Sequence, residues 1–297
     1  MSLLFFLISL GLSLAYEPGQ QKDGGRQAEQ TLKLGGKVYR ESCMACHGEK
    51  GDGKGQAAST LKTKPRDFTS GVYKFRSTPT GSLPLDQDIV RTISRGVRGT
   101  SMLPQLHLSQ QETWAVGQYL KTFSPRFSEQ RAKQPVSIPP RPKDRNLVRM
   151  GERLYREAGC GSCHGPDGKG NGRADQELKD HWGFPIEPTN LTLKPFKSGH
   201  DPQDLYRTIN TGLDGTPMPS YADALSPKEQ WSLVLYILSI ATHERPRGMM
   251  GLVGEETRGM MIDMRAAMAG MMGGRGMMGR GMMHRNMGEM MRDMMGR

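Results

Sequence analysis

Cys43-Met44-Ala45-Cys46-His47 and Cys160-Gly161-Ser162-Cys163-His164 decide how this chain is read. Each is C-x-x-C-H, the attachment signature of a c-type haem. The spacing follows from the chemistry. Two thiols add to the two vinyl groups of one porphyrin, and two intervening residues set them about one helical turn apart on one face. A histidine four residues after the first cysteine reaches the iron above that face, so His47 and His164 are the expected proximal ligands. A redox dithiol or half of a zinc site would also use C-x-x-C. All four cysteines of the chain, however, are consumed by two matching units, and no further cysteine remains for a zinc cluster.

Working outward, the surroundings repeat as well. Gly35 and Tyr39 precede Cys43, as Gly151 and Tyr155 precede Cys160. A small residue followed four positions later by a ring lets a second helix cross closely and pack on the aromatic. Glycine-rich loops follow each motif, Gly48 to Gly55 and Gly165 to Gly172, and both contain Asp-Gly-Lys-Gly. They lack the strand-to-helix setting of a phosphate loop and read as tight turns around a haem edge. Short helices are expected over Asp88–Arg95 and Asp204–Asn210. Gly99-Thr100-Ser101-Met102 is matched by Gly215-Thr216-Pro217-Met218, and closing helices start at Ser109 and Ser226, each with a capping-box glutamate, Glu112 or Glu229. Both closing helices carry Trp-x-x-x-x-Tyr, as Trp114/Tyr119 and Trp231/Tyr236. Offsets of 116 or 117 residues relate these landmarks, so the chain is an internal duplication.

A second axial ligand is needed on the far side of each iron. Met218, between Pro217 and Pro219, is held by a stiffened loop, and a thioether opposite an imidazole raises the reduction potential. Met102 occupies the same place in the first unit, where the second proline is shifted by one and His107 lies five residues on as a competitor; a water-bound iron is the remaining alternative. Tyr73, Arg76 and Arg66 are expected either to meet haem propionates or to sit on an ordinary solvated loop.

The organisation predicted is a signal peptide over 1–15, a flexible leader over 16–27, domain 1 over 28–123, a proline-rich extended linker over 124–145, domain 2 over 146–243 and a tail over 244–297. Leu3 to Ala15 is apolar but too short to span a bilayer, and Ser13-Leu14-Ala15 offers a cleavage site. Export agrees with haem attachment, which normally follows it, and places the protein in the periplasm or another extracytoplasmic space. Mean hydropathy is −0.60, so a buried porphyrin must supply much of each small core. Residues 16–126 carry 17 basic and 10 acidic groups, net +7, whereas residues 146–244 carry 10 and 13, net −3. A basic domain 1 suits docking on an acidic redox partner. No nucleic-acid motif is present.

With these residues in view, the chain resembles two class I c-type cytochromes in tandem, similar in architecture to the di-haem cytochromes c4. The resemblance covers residues ~28–123 and ~146–242. It implies an all-α fold, a few helices wrapped around each covalent haem, with Cys43, Cys46, Cys160 and Cys163 attached and His47/Met102 and His164/Met218 as axial pairs. It further implies single-electron transfer, as a soluble shuttle or as the haem subunit of a membrane-associated respiratory oxidoreductase, rather than catalysis. The alternatives are a haem enzyme with an open iron in domain 1, of peroxidase or thiosulfate dehydrogenase type, and a copper-handling protein. The last rests on the tail, which holds 17 of the 22 methionines in residues 249–295 and repeats Gly-Met-Met every eleven residues from Gly248. Thioethers suit Cu(I). A partner-binding methionine surface and a disordered extension are the competing readings of this segment.

Overall fold

The computed structural model describes residues 19–172, 178–199 and 201–244. The predicted signal peptide lies outside these residues, as does the tail beyond Glu244. In chain order the helices are α1 (Gly19–Ser42), α2 (Met44–His47), a 3₁₀ turn (Ala58–Thr60), α3 (Asp86–Arg95), α4 (Gln110–Lys121), α5 (Arg126–Glu129), α6 (Leu147–Glu157), α7 (Cys160–His164), α8 (Pro202–Thr211) and α9 (Pro227–Ile240). Two strand pieces, β1 (Leu193–Lys194) and β2 (His243–Glu244), pair in parallel with Leu193 opposite His243. The described fold is otherwise helical, as predicted.

Each domain is built on one helix crossing. In domain 1, a Cβ placed on Gly35 would meet Ala115 O, and Tyr119 Cβ at 2.8 Å. In domain 2, Gly151 faces Ser232 O and Tyr236 Cβ in the same way. Only a missing side chain lets α1 touch α4, and α6 touch α9, at backbone distance. Val116 and Val234, both wholly buried, sit at the centres of the two cores. Each contributes about 1.5–3 kcal/mol by leaving water. Both predicted capping boxes form. Ser109 N and Ser226 N donate to Glu112 and Glu229 Oε2 at 2.9 and 2.8 Å, and Glu112 N and Glu229 N donate back to the serine hydroxyls.

Three features differ from expectation. The stretch read as a flexible leader is helical from Gly19, because a helix anchored by its packed half extends backwards at little cost. Gly24 and Gly25 touch nothing, so this extension is helical without being packed. The linker, read as extended throughout, holds the short helix α5. After α5 it runs along both domains: Val136 N donates to Ser77 O in domain 1, and Trp231 Nε1–H donates to Pro139 O. Ile138 packs on the domain 2 core. The two matched tryptophans also part company. Trp231 is 3% exposed beneath the linker and against Tyr206, whereas Trp114 is 44% exposed.

The two domains meet through segments that the duplication does not share. Between Gly55 and Pro65 lie nine residues, but between Gly172 and Pro188 lie fifteen. Described residues of that longer stretch form a hairpin, with Ile186 N donating to Leu178 O and Asp180 N to Phe184 O, and with Trp182 at its tip. Domain 1 has its own excess before α3. There Arg76, Thr80 and Gly81 converge on Asp214 of domain 2, at 2.8, 2.7 and 2.8 Å. Arg76 also donates to Thr211 O at 2.9 Å. Its side chain is fully buried, so the expected propionate contact or solvated loop gives way to an interdomain bolt: four of the five guanidinium N–H groups donate to protein acceptors. Lys62–Glu187 and Arg95–Asp204 add peripheral pairs.

Candidate functional site

Each C-x-x-C-H forms a short helix of its own. Cys43 precedes α2 and Cys160 opens α7, and both helices stop at a glycine with positive φ, Gly48 at 80° and Gly165 at 79°. The tyrosine of the upstream helix secures that stop. Tyr39 Oη donates to Gly48 O at 2.6 Å and Tyr155 Oη to Gly165 O at 2.8 Å. The rings also pack on the closing helix, Tyr39 on Tyr119 and Phe123, Tyr155 on Tyr236. The glycine-rich loops then fold back over the motif helix. Gly53 N donates to His47 O and Gly55 N to Cys46 O; Gly170 N and Gly172 N do the same to His164 O and Cys163 O. These amides satisfy carbonyls that a helix of one turn leaves open, as the tight-turn reading required.

The histidines are oriented identically. His47 Nδ1–H donates to Arg66 O at 3.0 Å, and His164 Nδ1–H donates to Thr189 O at 2.9 Å. This fixes the tautomer and leaves Nε2 for a metal. Burial pushes both imidazoles below the ordinary histidine range, so each is neutral and able to ligate at physiological pH. Phe68 stacks on His47 at 4.5 Å.

The methionine loops match too. Thr100 Oγ1 donates to Val97 O and accepts from Met102 N, while Val97 N donates to Met102 O; Thr216, Leu213 and Met218 repeat all three bonds. The shifted proline near Met102 therefore leaves its frame intact. His107 is exposed, with Nε2 3.2 Å from Ser42 Oγ. The four cysteines are unpaired with one another, and Cys43, Cys46 and Cys160 are half-buried while Cys163 is exposed.

The residues fit a haem on a further count. Tyr73 Oη is buried with no hydrogen-bond partner among the described residues, beside Phe68 at 6.1 Å between ring centres. An unsatisfied buried hydroxyl costs about 1–3 kcal/mol, so a site offering this donor an anionic acceptor would satisfy it. Arg66 sits with its guanidinium 4.3 Å above the Trp182 ring, and burial pushes it down to about 10 against the opposing pull of Asp180.

Comparison with known proteins agrees with this geometry. Residues 32–124 match the family Cytochrome c, and residues 146–237 match Cytochrome C oxidase, cbb3-type, subunit III. A chain of the Kuenenia stuttgartiensis reducing HAO-like protein complex Kustc0457/Kustc0458 is 42% identical; the match covers 70% of this chain and 96% of that one, with a TM-score of 0.68. This chain is a di-haem class I c-type cytochrome. The cbb3-type cytochrome c oxidase subunit FixP of Rhizobium meliloti is 29% identical over 72% of this cytochrome and 62% of the relative. The subunit CcoP of Helicobacter pylori is 21% identical over 68% and 61%. The cytochrome thus spans about six tenths of the length of these curated relatives. Its two domains carry covalent haem c.

Sequence reasoning missed the carbonyls that orient the histidines. A signal was present: Pro65-Arg66-Asp67-Phe68-Thr69 is answered by Pro188-Thr189-Asn190-Leu191-Thr192. In both, the Asp67 or Asn190 side chain accepts from the N–H and hydroxyl of the following threonine, shaping the turn that presents the carbonyl. The pair is 123 residues apart rather than 116, so an alignment at constant offset passes over it.

Proposed function

We propose that this cytochrome carries single electrons through two His/Met-ligated haems as a subunit of an extracytoplasmic multi-subunit oxidoreductase. Cys43 and Cys46 hold the first haem and Cys160 and Cys163 the second. His47 and His164 would ligate through Nε2, and Met102 and Met218 would supply the second ligands. The haem iron supplies one-electron chemistry; the chain supplies position, exclusion of water and potential. Neutral, carbonyl-fixed imidazoles and thioethers held by threonine-braced loops would together supply two ligands to each iron. Tyr73 Oη donates to a propionate of the first haem. The observation that supports this most is the repetition of one ligand frame, bond for bond, in both domains.

The assembly reading draws on the similarity to subunits of a cbb3-type oxidase and to a chain of a HAO-like complex. The basic charge of domain 1 suits an acidic docking face. No described helix is long and apolar enough to cross a membrane. Extracytoplasmic placement follows from C-x-x-C-H chemistry and the apolar run at residues 3–15. The Cu(I) reading of the methionine-rich segment falls on residues outside those described.

Low-temperature magnetic circular dichroism of the oxidised protein tests the ligation. Two methionine-to-iron charge-transfer signals are expected, one of them lost in Met102→Ala. A single signal in the wild type would make domain 1 an open-iron site and overturn the electron-carrier assignment there.

A further inference from the structure

A chain of contacts leads from the proximal histidine of domain 1 to the methionine loop of domain 2. His47 Nδ1–H is bonded to Arg66 O. The side chain of the same Arg66 covers Trp182 across the domain boundary, 4.3 Å from its ring centre. The edge of that indole is seated on Gly215. A Cβ there would lie 2.8 Å from Trp182 Cζ3 and 3.3 Å from Val72 Cγ1 of domain 1. His181 N, next in sequence to Trp182, donates to Gly215 O at 3.0 Å. Gly215 begins the turn whose Thr216 hydroxyl accepts from Met218 N. Gly215, with φ of 78°, has no side chain of its own to hold this turn, so its outer wall is made by Trp182 and Val72.

The indole is itself fixed. Asp180 Oδ1 accepts from Trp182 N and Phe184 N, both at 3.0 Å, which locks the hairpin tip. The guanidinium lies within cation–π range of the indole face and ties the hairpin to domain 1.

We propose that Trp182, clamped by Arg66, is a positioning residue for Met218, so that domain 1 sets the axial bond and the reduction potential of the second haem. The inference rests on the ligation by Met218 argued above. Among the described residues the stretch between Gly55 and Pro65 of domain 1 forms no hairpin matching that of domain 2. Linkage makes the control reciprocal in energy: what changes the Met218 loop must act back on the His47–Arg66 bond by the same coupling free energy.

The test compares Trp182→Ala, Trp182→Phe and Arg66→Ala in the Met102→Ala background, where the remaining methionine signal belongs to Met218. Midpoint potentials are measured in the Met102-intact forms. Expected are loss or marked weakening of the Met218 charge-transfer signal in Trp182→Ala, partial loss in Arg66→Ala, and recovery in Trp182→Phe, which restores a ring against Gly215. One of the two potentials should fall while the other holds. Signal and potentials unchanged in Trp182→Ala would overturn the inference. If the Met218 signal is already absent from Met102→Ala alone, the ligation reading fails first, and the inference with it; the parent spectrum separates the two failures.

Discussion

Tyr73 shows how much one atom can specify. Its ring is fixed by Phe68 and by Phe127, edge-on at 5.9 Å, while its hydroxyl finds no acceptor among the described residues. Burial pushes the phenol well above its ordinary range, so it stays protonated and has a hydrogen to donate to an acceptor such as a carboxylate. Donation to an ionised propionate favours the charged form and keeps that group's pKa low. Tyr73→Phe should therefore move the pH-dependent step in the first haem's potential upward by about one to two units, as expected for a charge-assisted bond of about 1.5–3 kcal/mol. Potentiometry across pH checks this; an unmoved step would remove Tyr73 from the propionate. The variant should fold normally, since no hydrogen bond to a described residue is lost. His107 carries the opposite lesson. Its sequence position marks it as a competing ligand, yet the ring is exposed, with Nε2 3.2 Å from Ser42 Oγ. His107→Ala should leave both methionine signals in place.

At the scale of elements, the glycine–tyrosine pairs do two things. The glycine lets two helices touch, and the tyrosine four residues on caps the haem-motif helix. Gly151→Ala would drive a methyl into Ser232 O and Tyr236 Cβ. Separating α6 from α9 should cost about 1–3 kcal/mol, with thermal denaturation as the measure. The same change at Gly24, where nothing lies within 4 Å, should stabilise α1 by up to about 1 kcal/mol. These elements were legible in the sequence because each is local: a cap, a crossing glycine or a Gly-Thr-x-Met turn is written within a dozen residues. The histidine-orienting turns were not, although Pro-x-Asx-x-Thr occurs in both halves, because the hairpin ahead of Pro188 breaks the offset on which the duplication was read. The burial of Trp231 was equally hidden. It depends on Tyr206 and on a linker whose composition announces extension but not what it covers.

For the whole molecule, the shared parts make two haem sites and the unshared parts join them. Arg76 is the centre of that joint. Removing it strands Asp214 beside Thr80 and Gly81 with its charge uncompensated, and breaking a buried pair in this way costs about 3–5 kcal/mol. Arg76→Met should split a single denaturant transition into two, each followed by the axial-ligand spectrum of one haem, and Asp214→Asn should relieve part of the loss in a double-mutant cycle. A single unsplit transition in Arg76→Met would show that the linker alone keeps the domains together. The path of that linker bears on how such a protein can have arisen and can be divided. Domain 2 borrows Ile138 and the Pro139 carbonyl from the join to seal its tryptophan, whereas domain 1 leaves the matching indole open. A gene split at the start of α6 would thus strip the cover from the domain 2 tryptophan, a seam that domain 1, with its matching indole already open, does not have. The halves have ceased to be interchangeable, and descent from two equal single-haem ancestors is no longer reversible by cutting between them.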